Sequence, residues 1–231
     1  MDKTIVSILG ISSSPRGEKS RSEKMLQKVL FYARKFGGET KILRLCELNI
    51  MHCEGCYSQT IDGDKCVYPC IQSDQDDIDM LLDEMINADA LVIATPVYWG
   101  SGCSYLQVML EKMTCLENNE RKVIDRYRKL TLEGKLAVLL ASQDGEGASM
   151  ALAQISWALN HMGVMILPYG KIFQPSLLSN RFVRFGLRLI GVKKFGWVDN
   201  TLRLAGRNLV NVTRLLKGYN FDDNKVIESK S

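Results

Sequence analysis

The sequence predicts an α/β protein built on an open parallel sheet with helices on both faces. Five short apolar runs rich in β-branched residues recur along it, and segments of helical period separate them. Turn-rich stretches follow the first, third and fourth runs. In such sheets the ligand lies outside the carboxyl ends of the strands, near the point where strand order reverses, so those three stretches are expected on one rim.

Residues 4–11 (TIVSILGI) form the first run, apolar enough for a strand covered on both sides. The loop Ser12-Ser13-Ser14-Pro15-Arg16-Gly17-Glu18-Lys19-Ser20-Arg21-Ser22 follows it. Ser22 reads as an N-cap, and Ser20 to Glu23 has capping-box spacing. Met25, Leu26, Val29, Leu30, Ala33 and Phe36 then make one helical stripe, which Gly37-Gly38 ends. A second strand at 39–46 carries alternating polar residues, as expected nearer a sheet edge.

Residues 47–73 hold four cysteines and show no periodicity. A helix is predicted over 74–85, its acidic first turn favourable against the helix dipole. The third strand, 90–95, is expected to end at Pro96, before Val97-Tyr98-Trp99-Gly100 and a helix over about 104–116. A polar stretch from 117 to 133 reads as surface helix or loop. The fourth strand, 136–142, runs into Gln143-Asp144-Gly145-Glu146-Gly147; a helix at 149–162, a strand at 164–169 and a helix from about 202 to 216 complete the series.

The chain has 231 residues, 46% of them apolar, enough for one well-buried core. Its longest apolar runs are too short to span a bilayer, and Asp2-Lys3 leads into a strand rather than an export segment. The expected compartment is the cytoplasm, where seven cysteines do not read as a disulfide framework. The net charge of +4 is uneven: from Lys171 onward 12 Lys and Arg face 4 Asp and Glu, leaving −4 for the first 170 residues. No nucleic-acid module accompanies this basic third, so no nucleic-acid partner is expected. Within 172–198, Arg181, Arg184, Arg188, Lys193 and Lys194 alternate with Phe182, Phe185, Leu187, Leu189 and Ile190, a pattern suited to covering a partner subunit or the mouth of a site. Charge alone also makes Arg181 and Arg184 candidates for attracting the extra phosphate of NADPH.

A loop crowded with hydroxyls at a helix N-terminus supplies outward N–H groups, hydroxyl donors and a favourable dipole to a terminal phosphate. Arg16 and Arg21 add charge-assisted bonds. The plain alternative is an ordinary polar connection. No Gly-Lys-Ser/Thr ending or Gly-x-Gly-x-x-Gly run occurs in it, so neither a Walker loop nor a dinucleotide fingerprint is present.

Ser14-Pro15-Arg16 with Ser20 and Ser22, then Pro96-Val97-Tyr98 at the end of the third strand, resembles the NAD(P)H-dependent FMN reductases of the flavodoxin-like superfamily. The cysteine insertion resembles that family's iron–sulfur flavoprotein branch. The resemblance covers roughly residues 3 to 170. It implies a doubly wound five-stranded sheet of order 2-1-3-4-5, FMN as cofactor, NAD(P)H as co-substrate, and a homodimer or homotetramer. On it, residues 1–170 form a flavodoxin-like FMN-binding domain with the insertion at 47–73, and residues 171–231 an extension packed on the core or on a partner subunit. Ser12, Ser14, Arg16, Ser20 and Ser22 would surround the FMN phosphate, with Arg21 where such loops often carry asparagine. Pro96, Val97, Tyr98 and Trp99 would line the isoalloxazine ring, Gly100 would admit backbone donors to its polar edge, and Ser142, Gln143, Asp144 and Gly145 would form the opposite wall. Hydride transfer to a stacked flavin asks for geometry more than for acid–base groups, and no general base is named.

Cys53, Cys56, Cys66 and Cys70 give C-x2-C-x9-C-x3-C, a donor set for a [4Fe-4S] cluster or for zinc. A loop of reduced structural thiols is the plain alternative. Iron–sulfur flavoproteins typically have a third cysteine where Gln59 stands here, and Cys70 is extra. Cys46, Cys103 and Cys115 are expected in or near packed elements, and His52 beside the cluster motif. The expected activity is FMN-dependent transfer of electrons from NAD(P)H or a ferredoxin-like donor to a quinone, a flavin or a metal ion. A non-enzymatic flavodoxin-like carrier is the alternative.

Overall fold

The computed structural model describes residues 5–61, 63–121, 132–175 and 196–217. Five long parallel strands form its sheet: β1 (Val6–Ser12), β2 (Gly38–Arg44), β3 (Ala90–Tyr98), β5 (Leu136–Gln143) and β6 (Met165–Pro175). Their order is β2-β1-β3-β5-β6, and the two-residue β4 (Ser101–Gly102) pairs antiparallel with the end of β3. This is the doubly wound, flavodoxin-like order that the resemblance implies, with the reversal between β1 and β3.

Helices cover both faces because the strands are apolar on both. On one side α1 (Arg21–Lys35) and the C-terminal α6 (Gly196–Lys217) pack on Val6, Ile8, Val92 and Val138 through Leu26, Val29, Leu202 and Leu209. Gly206 lets the two helices touch, since a Cβ there would sit 2.5 Å from the carbonyl oxygen of Val29. On the other side α2 (Ile78–Asn87), α3 (Ser104–Lys112) and α5 (Ala148–His161) bury Leu81, Leu106, Met109 and Ile155 against Leu9, Ile93 and Leu139. The cysteine insertion joins this second core through Cys56 and Cys66.

Four boundaries differ from the sequence reading. The helix predicted from Asp74 begins at Ile78. The preceding carboxylates serve the insertion instead: Asp76 accepts from Met51 N, Asp77 from Asn49 N, and Asp79 within the first turn from Cys70 N. β3 continues past Pro96, which pairs with Ser142 before the strand leaves the sheet as a hairpin. The helix expected over 104–116 breaks at Met113, and α4 (Thr114–Arg121) starts afresh. β6 does not stop at Tyr169; a bulge absorbs Pro168-Tyr169-Gly170, and the strand resumes with Lys171 opposite Leu139. Tyr169 adopts φ +59°, the left-handed conformation that such a bulge requires. The basic segment from 176 to 195, with Arg181 and Arg184, lies outside the described residues.

Among the described residues no helix is long and apolar enough to cross a membrane.

Candidate functional site

The three loops meet at one rim and are tied to one another in pairs. In the serine loop, Ser20 caps α1, its Oγ accepting from Glu23 N at 3.1 Å and lying 3.3 Å from the Ser22 hydroxyl. Ser20 rather than Ser22 is therefore the N-cap. The Ser14 hydroxyl accepts from Arg16 N at 3.2 Å, and the Ser14 carbonyl from Gly17 N, folding the loop back over the helix start. Ser12, Ser13, Ser14, Ser20 and Ser22 are all buried from bulk water.

Beneath the loop lies Glu23, a carboxylate with no solvent exposure. It accepts from Ser12 Oγ at 2.8 Å and from Gln27 Nε2 at 3.2 Å. Its charge is balanced by Arg44 at the end of β2, with Nε 2.9 Å away; Arg44 also reaches Glu18 at 2.7 Å and Glu47 at 3.3 Å. The hydrogen bond to Glu23 raises the Arg44 guanidinium still further above its ordinary value, and burial opposes it only in part. Ser12 thus braces the loop from inside, its hydroxyl spent on Glu23.

Arg21, expected beside a phosphate, forms an ion pair with Asp144 at 3.1 Å and so joins the serine loop to the loop after β5. Gln143 closes that loop on itself by accepting from Ala148 N at the start of α5. Gly147 (φ +102°) then packs against the hairpin: a Cβ there would stand 2.7 Å from Gly100 Cα. The hairpin returns to the serine loop through Cys103, which caps α3 and donates its thiol to the Ser13 carbonyl at 2.7 Å.

Trp99 and Gly100 form the tip of the β3–β4 hairpin, between the pairs Val97–Gly102 and Tyr98–Ser101. Both have positive φ, +52° and +77°, as the tight two-residue turn demands. A tryptophan held left-handed costs about 1 kcal/mol or more, and here its ring is fully exposed. Between this tip and the Gln143–Gly147 loop opens a groove of about 590 Å³, lined by Trp99, Gly100, Gln143, Gly147, Met150 and Phe173 among others. That volume falls within the usual range for small-ligand sites. The sequence reading missed Met150 and Phe173: one is an ordinary helix position, the other lies beyond the bulge that looked like the end of β6.

A second concavity, of about 310 Å³, lies in the insertion. All four candidate metal cysteines, Cys53, Cys56, Cys66 and Cys70, line it, and so does Cys115 from the first turn of α4. Gly55 N donates to Cys53 Sγ at 3.4 Å. Burial pushes the Cys56 thiol up, with Glu54, Cys53 and Cys70 adding to the effect. Burial pushes Cys115 to about 12, with Cys70 and Cys66 contributing. Among the described residues no three His, Cys, Asp or Glu side chains converge on a point that would hold one ion. The cavity is fastened to the core by Asn118, whose amide donates to the Gly63 and Cys66 carbonyls at 2.9 and 2.7 Å, and by the buried pair Lys112–Asp76. His52 does not line it. His161 instead stacks on Trp157 and pairs with Glu117 at 3.3 Å.

A protein-family model described as NADPH-dependent FMN reductase matches residues 6–175, a span that includes all three rim loops and the insertion. An iron-sulfur flavoprotein of Methanocaldococcus jannaschii is 30% identical over 105 residues, 46% of this chain and 50% of that protein. FMN-dependent NAD(P)H:quinone oxidoreductase 1 of Pseudomonas aeruginosa is 28% identical over 149 residues, 61% of this chain and 69% of that protein. The chain spans about half the length of two of the iron-sulfur flavoproteins it matches and 61% of a third, from Methanosarcina thermophila. The crystal structure of RosB with bound 8-demethyl-8-formylriboflavin-5'-phosphate shares the fold, with a TM-score of 0.71 and 18% identity over 97% of this chain and 86% of that one. With its flavodoxin-like strand order and a match from the first strand to the last, this chain belongs to the NADPH-dependent FMN reductase family.

Proposed function

We propose that the chain is an FMN-dependent oxidoreductase that takes electrons from NAD(P)H, or from a reduced ferredoxin-like iron–sulfur donor, and passes them to a small acceptor such as a quinone, a flavin or a metal ion. The observation that carries this reading is the family match over a span holding the capped helix start, the hairpin tip and the Gly147 loop, which meet at one rim. The residues fit FMN. The N-terminus of α1 offers a phosphate the positive end of a helix dipole beside the hydroxyls of Ser20 and Ser22. Gly147 and Gly100, whose backbones approach closely, both line the groove.

In this reading Ser14, Arg16, Ser20 and Ser22 hold the phosphate end. Arg21 meets Asp144 between the phosphate loop and the wall made by Ser142, Gln143 and Gly145, an exposed pair that adds little energy of its own. Pro96, Val97, Tyr98, Trp99 and Gly100 are read as the ring-side wall; Trp99 and Gly100 line the groove, and Met150 and Phe173 add apolar surface to it. Bound there, FMN supplies the hydride-accepting and electron-passing chemistry; the protein binds it, orients it and leaves one side open to a partner.

The insertion is read as the seat of a [4Fe-4S] cluster. A single zinc needs four donors at about 2.3 Å from one point. A cluster takes one thiolate per iron and suits thiols spread around a cavity, as they are here. Such a cluster would pass electrons singly between FMN and an outside partner. The assembly is read as a homodimer or homotetramer.

Protein purified without oxygen tests the reading through its visible spectrum, flavin analysis after reconstitution with FMN, and oxidation of NADH and NADPH with a quinone acceptor. Flavin absorption and acceptor-dependent oxidation are expected. A chain that stays colourless after reconstitution with FMN would overturn it.

A further inference from the structure

The cavity of the insertion presents five thiols where a [4Fe-4S] cluster has four places, and the fifth, Cys115, comes from outside the insertion. It stands in the first turn of α4, a helix of the packed core, and is 3% exposed. Asn118 lies three residues further along, on the same helical face. Its amide grips the carbonyls of Gly63 and Cys66, so the face of α4 that carries Cys115 is clamped to the loop that carries Cys66. By contrast Gln59, three residues after Cys56, is exposed. Its side chain donates to the Glu54 carbonyl and accepts from Lys65 instead of lining the cavity.

We propose that Cys115 is a ligand of the [4Fe-4S] cluster, supplied from α4 in place of one of the four insertion thiols. One of the four insertion cysteines is then left unligated. The inference rests on the cluster reading above and adds to it a ligand remote in sequence. Its physical appeal is rigidity: the other four thiols sit on a segment with little regular structure, whereas Cys115 is fixed to the core and would tie the cluster to it. All five thiols line the one cavity, Cys115 from the α4 side and the other four from the insertion.

The test uses the full chain, produced and reconstituted anaerobically with iron and sulfide, as wild type and as Cys115→Ser, Cys115→Ala and Cys46→Ser. Cys46 lies under Gly17 of the serine loop and away from the cavity. Iron, sulfide, zinc and FMN per chain are measured, with electron paramagnetic resonance of the reduced protein. Both Cys115 variants are expected to lose at least tenfold of the cluster iron and sulfide and the resonance signal while keeping FMN at the wild-type level; Cys46→Ser keeps all three. A Cys115→Ala protein with wild-type iron, sulfide and signal would overturn the proposal. So would loss of FMN together with iron in both variants, which would make Cys115 a packing residue. Wild type that binds FMN but no iron or sulfide, or binds only zinc, would instead sink the cluster reading and the proposal with it, leaving the FMN reading intact.

Discussion

The serine loop and the cysteine insertion each rest on a carboxylate with no exposure to solvent, Glu23 under the first and Asp76 under the second. The cations that answer them differ. Arg44 is partly exposed and fans out to Glu18, Glu23 and Glu47, so the serine loop stands on a shared, solvent-touching network. Lys112 is fully buried on α3 and closes on Asp76, which also holds Met51 N and, through its other oxygen, Ile78 N. A distributed pair can redistribute charge when an anion arrives overhead. A sealed pair cannot, and acts as an anchor holding a long irregular segment to a helix.

That contrast is broken most directly at Lys112. Replacing it with methionine keeps most of the packing volume but leaves Asp76 buried without its cation, a change that typically costs 3–5 kcal/mol. Lys112→Met is accordingly expected to lower the unfolding free energy by about 4 kcal/mol in urea titrations. A loss under about 1 kcal/mol, the value of an exposed pair, would show that the insertion is not anchored there.

The corresponding change at the other site is expected to be milder. In Arg44→Met, Glu23 keeps hydrogen bonds from Ser12 and Gln27, and the side-chain position of Arg44 is open enough for water to take over part of the charge. A loss of about 2 kcal/mol is expected by the same measurement, between the buried and exposed limits. Equal losses for Lys112→Met and Arg44→Met would erase the distinction between the two foundations.

The two regions also differ in how far they could be read from sequence. The serine loop is contiguous: strand, hydroxyl-rich turn, cap and helix follow one another, so local rules placed it at the rim, erring only in the choice of Ser22 over Ser20 as cap. The turn-rich loop after β5 was legible for the same reason, whereas the strand order came from the family resemblance, because pairing between strands distant in sequence leaves no local signal. The insertion is assembled from distant pieces, Asp76 and Asp79 around the start of α2, Lys112 on α3, Cys115 and Asn118 on α4, and no spacing rule links them. The acidic run after Ser73 looked like a favourable helix start because its real partners, backbone N–H groups far upstream, leave no local trace. Phe173 was missed through a similar limit: Pro168-Tyr169-Gly170 has the composition of a strand end, and only the register with β5 reveals that β6 resumes.

The smallest expected effect is also the one that best separates stability from binding at the serine loop. Ser20→Ala removes the hydroxyl that accepts from Glu23 N, and loss of an N-cap of this kind costs about 1 kcal/mol. The same hydroxyl lies beside Ser22 at the helix start, where the proposed phosphate would sit. Titration of the apoprotein with FMN and with riboflavin, which shares the ring but lacks the phosphate, divides the two roles. A cap that only stabilises the helix weakens both ligands alike. A hydroxyl that also serves the phosphate weakens FMN about fivefold, near 1 kcal/mol, and leaves riboflavin unchanged. That second pattern is the expected one. Equal weakening of the two flavins would confine Ser20 to the architecture of α1 and shift the phosphate contacts to Ser14, Arg16 and the backbone.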